Sequence, residues 1–198
     1  MKISGKFILK VAGTLTIISL VVALLLGLVN GVTADKIAAM NAAATQTALE
    51  AVTEAGSTYD EITSIPQEVM DAAKEMGGTL EEMYTVTFDG QPAGYAVKLT
   101  ASGSQGLIEM VIGVDAEQKI TGISVVNHSE TSGIGTKVMN NNALPNGTGV
   151  LDQFKGMSHA DGDLEVGKNV DAISGATVST KGITMGANAA LAAVEALG

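Results

Sequence analysis

The feature that most constrains this chain is an uncharged, apolar segment of 22 residues that runs from Val11 to Val32. As an α-helix it would be about 33 Å long, which is enough to cross the hydrocarbon core of a bilayer. A secretory signal normally has a shorter apolar region, although Val32-Thr33-Ala34 does offer the small residues that a signal peptidase needs. The length of the segment therefore predicts that residues 1–33 are a retained membrane anchor with a short cytoplasmic start.

The charges on either side of this segment predict its orientation. Lys2, Lys6 and Lys10 are the only charged residues among the first 33, and the positive-inside rule keeps such lysines in the cytoplasm. The rest of the chain carries all 21 Asp and Glu and eight of the 11 lysines, a formal net charge of −13. We therefore expect a single-pass protein of the cell (inner) membrane whose remaining residues lie on the outer side. The acidity also argues against nucleic-acid binding.

Cysteine and arginine are both missing from the sequence, and each of these absences excludes a kind of chemistry. Without cysteine there is no disulfide, thiolate nucleophile, iron–sulfur ligation or diacylglyceryl lipoprotein anchor. Without arginine there is no guanidinium to clamp a phosphate.

The periodicity of apolar residues predicts the order of the elements. Residues 34–55 have helical spacing with Gly56 as a cap, and Pro66 opens a short helix that ends near Gly77. From Met83 the period changes to two, and four successive strands predict an antiparallel meander. A final helix follows. The predicted fold class is α+β, with a transmembrane helix and a stalk followed by an antiparallel-sheet domain with a C-terminal helix. The domain boundaries are 1–33 for the anchor, 34–78 for the helical stalk and 79–198 for the sheet domain.

The segment Asp171-Ala-Ile-Ser-Gly-Ala-Thr177 immediately precedes the predicted helix at 178–197. Ser174 and Thr177 place two hydroxyls at the start of that helix, where unpaired N–H groups and the positive dipole end favour an anion. Gly175 permits a tight turn and a close approach to the backbone. The segment therefore suits a phosphate, while an ordinary helix cap, worth on the order of 1 kcal/mol, is the alternative interpretation.

A second polar segment, His128-Ser-Glu-Thr-Ser-Gly-Ile-Gly135, closes the strand meander. Glu130 and Thr131 are suited to hydrogen-bonding a ligand, and Gly133 and Gly135 would allow its close approach. Taken by itself, the segment is more typical of a polar turn in which glycine supplies positive φ, and its pairing with the segment that ends at Thr177 favours a ligand site.

Together these two segments resemble the FMN-binding domain family. Residues 171–177 resemble its flavinylation motif, and residues 128–135 resemble its His-x-Glu-Thr-Pro-Gly-Leu-Gly segment, with Ser132 and Ile134 as departures. With the anchor in front, the whole chain resembles the G subunits of Rnf-type ferredoxin:NAD oxidoreductases, which are related to the C subunit of the sodium-pumping NADH:quinone reductase.

This resemblance implies a membrane-anchored electron-transfer flavoprotein, which would be one redox subunit of an ion-pumping translocase and not a complete enzyme alone. FMN would be joined by a flavin transferase, through its phosphate, to the hydroxyl of Thr177. The partners implied are the other membrane subunits of the complex, and the coupling ion is Na⁺ or H⁺. No catalytic residue and no metal site are implied. The cofactor-binding residues implied are Asp171, Ser174, Gly175, Ala176, Thr177, Glu130 and Thr131.

Other functions fit the sequence less well. A hydrolase would use Ser174 or Thr177 as nucleophile and His128 or His159 as base, but there is no Gly-x-Ser-x-Gly elbow and we expect His159 to be solvated. Residues 162–168 nearly match a phosphate-binding P-loop but lack its Ser or Thr. Two alternatives remain: a stand-alone extracellular FMN-bearing electron-transfer protein, and a membrane-tethered surface or assembly protein without flavin.

Overall fold

The computed structural model of the protein describes residues 5–198. Its elements in chain order are the helix α1 (Gly5–Val52), strand β1 (Thr58–Glu61), helix α2 (Gln67–Glu75), strands β2 (Gly78–Phe88), β3 (Gln91–Ser102), β4 (Leu107–Asp115) and β5 (Ile120–His128), the short helix α3 (Thr136–Met139), two 3-10 turns (Asp152–Phe154 and His159–Asp161) and the helix α4 (Thr177–Leu197). The chain divides into two compact units between residues 43 and 44.

The first unit consists of most of α1, which is long and apolar enough to cross a membrane by its length and composition. Its side chains are exposed to the surroundings along almost all of this length. The hydroxyls of Thr14, Thr16 and Thr33 each donate to the carbonyl four residues earlier, so these polar groups are satisfied within the helix. Lys2, which contributed to the predicted orientation, lies outside the described residues.

The second unit is built on a five-stranded antiparallel sheet with the strand order β1-β2-β3-β4-β5. The four predicted strands are confirmed, and Asp89 and Gly90, both with positive φ, form the turn between β2 and β3. The predicted number of strands is nevertheless wrong, because it leaves out β1. Most of β1 is exposed, so it lacks the alternation of buried residues that would have revealed it. The α+β fold class, with a long apolar helix first and a helix last, is confirmed.

Helix α4 packs closely against one face of the sheet because its inner side carries small residues. A Cβ at Gly186 would lie 2.6 Å from Met110 Sδ, and a Cβ at Gly182 would lie 2.7 Å from the carbonyl oxygen of Ser102. Ile183 and Leu191 fill the space between these contacts and are fully buried. This close packing fixes the helix axis against the sheet and so fixes where its first turn lies.

The opposite face of the sheet is covered in part by the last turns of α1. Ala48, Leu49 and Val52 pack there, and the paired glycines Gly113 and Gly122 leave room for the backbone of Val52. Residues 34–78, the predicted stalk, thus contribute these turns, β1 and α2 to the packing of the sheet. The domain boundaries 1–33, 34–78 and 79–198 stay a prediction.

A buried lysine lies on the same face as the last turns of α1. Lys98 Nζ lies 2.9 Å from Glu82 Oε1 and 3.2 Å from Glu109 Oε1, and the Tyr84 hydroxyl donates to Glu82. Burial by itself would lower the pKa of Lys98, but the hydrogen bonds and charges of these carboxylates outweigh it and raise that pKa. This network joins β2, β3 and β4 and is structural.

Candidate functional site

A pocket of about 160 Å³ lies at the end of the sheet where α4 begins. Three segments form it: the turn between β3 and β4, the segment after β5, and the first turn of α4. Its lining residues are Ser104, Glu130, Thr131, Ile134, Gly135, Gly175, Ala176, Thr177, Val178 and Ser179. Whole cofactors usually occupy pockets of roughly 300–1,000 Å³. This pocket is therefore large enough for one end of FMN, such as its phosphate, and not for the isoalloxazine ring.

The start of α4 leaves its first N–H groups without side-chain partners among the described residues. The residue before the helix is Ala176, which is buried and supplies no side-chain cap. Gly175 has φ +82°, which turns the chain into the helix. Thr177 is exposed, and within residues 5–198 its hydroxyl has no hydrogen-bond partner. An exposed hydroxyl beside free N–H groups at the positive end of a 21-residue helix suits a covalently held phosphate.

Glu130 joins the three segments of the pocket through its carboxylate. Its Oε1 accepts hydrogen bonds from the backbone N–H groups of Ser104 at 2.7 Å and Gln105 at 3.1 Å, and its Oε2 accepts one from the hydroxyl of Ser179. The residue is only 7% exposed. Both carboxylate oxygens therefore have partners within the protein.

These contacts also determine the charge of Glu130. Burial alone would raise the pKa of its carboxyl, but the hydrogen bonds from Ser179, Gln105 and Ser104 outweigh it and hold that pKa below its usual value. His128 Nδ1 accepts the backbone N–H of Glu130 at 3.2 Å, which fixes the backbone at this point. The pocket thus contains a buried, ionised carboxylate.

Two glycines make room for this carboxylate. A Cβ at Gly135 would lie 2.4 Å from Glu130 Oε2, and a Cβ at Gly103 would lie 2.4 Å from Glu130 Oε1. Neither position could carry a side chain without moving Glu130. At Gly135, therefore, the close approach that the sequence predicted for a ligand is made by a side chain of the protein itself.

Three large apolar side chains are exposed around the pocket. Ile134 is 50% exposed, Val178 55% and Leu107 61%. They are the only large hydrophobic residues exposed to this degree within residues 44–198. Ile134 and Val178 line the pocket, and Leu107 begins β4 just beyond the turn that contributes Ser104. We name these three residues the apolar rim. An exposed apolar cluster beside a polar pocket is typical of a binding site.

The structure brings together most of the residues that the sequence predicted. Thr177, Gly175, Ala176, Glu130 and Thr131 line one pocket. Asp171 and Ser174 precede the helix, are exposed and do not line that pocket. The backbone of Asp171 is held by Gln153, which accepts from its N–H at 2.8 Å and donates to its carbonyl at 2.9 Å. Direct contacts between FMN and any of these residues stay predictions.

The structure disfavours a hydrolase that uses His159 as its base. His159 contacts Asn188 and Glu195 in the last turns of α4, and eleven residues of helix, or about 16 Å, separate Asn188 from Thr177. The expectation that His159 is solvated was wrong, because its side chain is only 12% exposed. The P-loop-like residues 162–168 are mostly irregular, with a turn only at 167–168, and no helix begins at Lys168 within the described residues.

Three aromatic residues that could stack on a flavin ring, Tyr84, Tyr95 and Phe154, belong to the packing of the domain. Phe154 is fully buried, while Tyr84 and Tyr95 pack against the clusters on the two faces of the sheet. None of the three lines the pocket. The surface that an apolar ring would meet near Thr177 is therefore aliphatic.

Comparison with known proteins agrees with this geometry. Residues 103–192 match the family model of the FMN-binding domain, and residues 1–52 match that of the RnfG N-terminal region. The first match contains every residue of the pocket. The chain is thus an FMN-binding-domain protein that carries a candidate membrane helix in front of the domain.

Relatives of nearly the same length define the family more narrowly. The chain is 32% identical to the G subunit of the Na⁺-translocating ferredoxin:NAD⁺ oxidoreductase complex of Acetobacterium woodii, over 94% of this chain and 91% of that protein. It is 31% identical to the G subunit of the ion-translocating oxidoreductase complex of Methanosarcina acetivorans, over 97% of each. A shorter match, 27% identical over 56% of this chain and 58% of that protein, is to the G subunit of the proton-translocating complex of Clostridium ljungdahlii. The chain belongs to the family of G subunits of ion-translocating, Rnf-type oxidoreductase complexes.

Proposed function

We propose that this protein is the electron-relaying subunit of an Rnf-type complex and that it carries FMN joined by a phosphoester to Thr177. One observation carries the proposal: an exposed, unpartnered threonine hydroxyl begins α4 inside the segment that matches the FMN-binding domain. A threonine that served only as a helix cap would instead be expected to accept a hydrogen bond from the first turn.

The attachment step makes one bond and breaks one bond. Thr177 Oγ1 bonds to the phosphorus of the FMN phosphate, and its hydroxyl proton passes to solvent. The donor is a phosphoanhydride of FMN, whose anhydride bond breaks so that the other phosphate leaves. A separate flavin transferase performs this step, so Thr177 is an attachment point and not a nucleophile that turns over.

The residues around Thr177 have distinct roles in this proposal. The free N–H groups of the first turn of α4 stabilise the negative charge of the phosphodiester. Gly175 and Ala176 keep the approach to the backbone open, and a Cβ at Gly175 would meet nothing within 4 Å. Ser174 and Thr131 supply exposed hydroxyls for further hydrogen bonds, and Asp171 belongs to the motif that the transferase recognises.

FMN, when bound, supplies one-electron and two-electron transfer. The protein's part is to place the ring and to set its environment. The apolar rim is the surface nearest Thr177 on which the apolar edge of the ring can lie. The ionised Glu130 and the acidic domain disfavour additional negative charge nearby, which lowers the potential of the flavin.

The membrane anchor and the relatives support the rest of the proposal. We propose that α1 crosses the membrane once, with the N-terminus in the cytoplasm and the FMN domain on the outer side, and that α1 contacts the other membrane subunits. The relatives' names give Na⁺ for Acetobacterium woodii and protons for Clostridium ljungdahlii. This chain would relay electrons in a complex that moves one of these two cations.

The test is the intact mass of the full chain purified in detergent from its native host, beside the variants Thr177→Ala and Ser174→Ala. We expect wild type and Ser174→Ala to gain the mass of FMN minus one water and to fluoresce after denaturing electrophoresis, and Thr177→Ala to do neither. An unmodified wild-type chain would contradict the proposal and favour a membrane-tethered protein without flavin. A flavinylated chain that purifies without other membrane subunits would favour the stand-alone electron-transfer protein.

A further inference from the structure

We propose that Glu130 is a positioning residue, whose buried carboxylate anchors the first turn of α4 so that the hydroxyl of Thr177 faces the flavin transferase. This inference rests on the proposed attachment of FMN at Thr177. It assigns Glu130 a role through Thr177 instead of the direct flavin contact that the sequence predicted.

Both carboxylate oxygens of Glu130 already accept hydrogen bonds from the protein. Three protein donors converge on it, from Ser104, Gln105 and Ser179. Hydrogen bonds to an ionised acceptor are about twice as strong as neutral ones, so these three contacts hold the carboxylate firmly against the three segments.

The geometry of the helix links the direction of the Ser179 side chain to that of Thr177. Thr177 and Ser179 are two residues apart, and successive residues on an α-helix are rotated by about 100°, so their side chains point about 200° apart. When Ser179 is held inward by Glu130, Thr177 must therefore point outward. The structure agrees, because Ser179 is buried and Thr177 is exposed.

The surrounding backbone is shaped around the carboxylate of Glu130. Gly103 and Gly135, which lie in two different segments, would each place a Cβ 2.4 Å from one of its oxygens. Gly182, one turn further along α4, packs directly on Gly103, with 3.3 Å between its Cβ position and Gly103 Cα. The turn between β3 and β4, the segment after β5 and α4 thus have their relative positions fixed at Glu130.

The experiment measures the rate at which purified flavin transferase loads FMN onto the full-length apo chain in detergent. The test variants are Ser179→Ala, which removes the contact to α4 alone, and Glu130→Gln, which removes the charge at nearly the same shape. The matched control is Thr184→Ala, because Thr184 is buried in the same helix and its hydroxyl bonds only to the Thr180 carbonyl. Thermal unfolding of every variant is measured in parallel.

We expect both test variants to load FMN about tenfold more slowly at saturating chain, with little change in KM, because a displacement of about 1 Å at a reacting atom costs up to roughly 100-fold in rate. The double variant should lose little more than the worse single variant, because both changes act on the contact between Glu130 and Ser179. The control should lose stability without losing rate. If Glu130→Gln does not fold, Ser179→Ala still tests the proposal, because alanine is well tolerated in a helix.

Two different failures are distinguishable. Loading of Ser179→Ala and Glu130→Gln at the wild-type rate, with wild-type chain modified at Thr177, would overturn the positioning role and leave the proposed function intact. A rate that follows thermal stability in all variants, the control included, would also overturn it. Absence of FMN from the wild-type chain itself would instead overturn the proposed function.

Discussion

The two halves of α4 use the same kind of contact for different purposes. At its start, Glu130 binds Ser179 from outside the helix, and among the described residues Thr177 and the first N–H groups stay free. In its second half, just past the midpoint, Asn188 accepts the N–H of Leu164 and donates to the carbonyl of Leu164, each at 2.9 Å. Both contacts fix a loop to the helix. The start differs because its anchoring residue leaves donors unused, which is what a site for a phosphate needs.

The largest loss of stability is expected from a substitution at Asn188, in the second half of α4. Asn188→Ala would leave the buried N–H and carbonyl of Leu164 without partners and lower the free energy of unfolding by about 3 kcal/mol. Since Asn188 lies about 16 Å along the helix from Thr177, FMN loading at permissive temperature should equal that of wild type. Chemical unfolding in detergent and intact mass would measure the two effects. Loss of loading by a folded variant would show that the two halves of α4 are coupled.

Substitutions of two glycines, Gly135 and Gly133, test the role of Glu130 at the start of α4. Gly135→Ala places a methyl group 2.4 Å from Glu130 Oε2 and should cost about 2–3 kcal/mol, with slower FMN loading. Gly133→Ala has open space but a φ of +75° and should cost about 1 kcal/mol through backbone strain alone. Unfolding and loading are measured for both variants. Equal loading by the two would mean that displacing Glu130 has no effect on Thr177.

The elements of the domain were predictable from the sequence where burial alternates with a clear period. Val97 and Leu99 in β3, and Ile108 and Met110 in β4, all face the core under α4, as their spacing predicted. Sequence periodicity missed β1 because Tyr59 is its only side chain packed on a core cluster. It also did not predict that the last turns of α1 pack on the sheet, because that contact depends on glycines from two strands.

The motif of the candidate site could be predicted from the sequence, but the contacts that support the motif could not. The motif lies within one continuous segment, residues 171–177, so it can be recognised without the tertiary structure. The roles of Gly103, Ser179 and Gly182 depend on contacts between residues far apart in the chain, and a serine inside a helix carries no local signal of its partner. Glu130 lines the pocket, but its burial and its hydrogen-bond partners could be found only from the tertiary structure.

A smaller change in stability is expected when the pH is lowered. Since the pKa of Glu130 is lower in the folded chain than in the unfolded chain, where it is about 4.3, its contribution to stability is fully present above that value. The contribution is lost as the pH falls through the folded-state pKa. The stability advantage of wild type over Glu130→Gln should therefore narrow on acidification, by on the order of 1 kcal/mol. Unfolding at stepped pH measures it, with Glu75→Gln, an exposed carboxylate on α2, as control. A constant difference would mean that the charge is not what stabilises the contact.

The smallest loss of stability is expected from a substitution at His159. The same substitution tests whether the far end of α4 takes part in chemistry. Its Nδ1 lies 3.1 Å from Glu195 Oε2 and its Nε2 lies 3.3 Å from Asn188 Oδ1. Glu195 is partly exposed, and ion pairs of this kind contribute at most about 1 kcal/mol. His159→Ala should therefore lower the free energy of unfolding by less than about 1 kcal/mol and leave FMN loading unchanged, because no atom of this cluster lies near Thr177. Loss of loading, or loss of an esterase activity present in wild type, would instead make His159 a reactive residue and the two ends of α4 a single site.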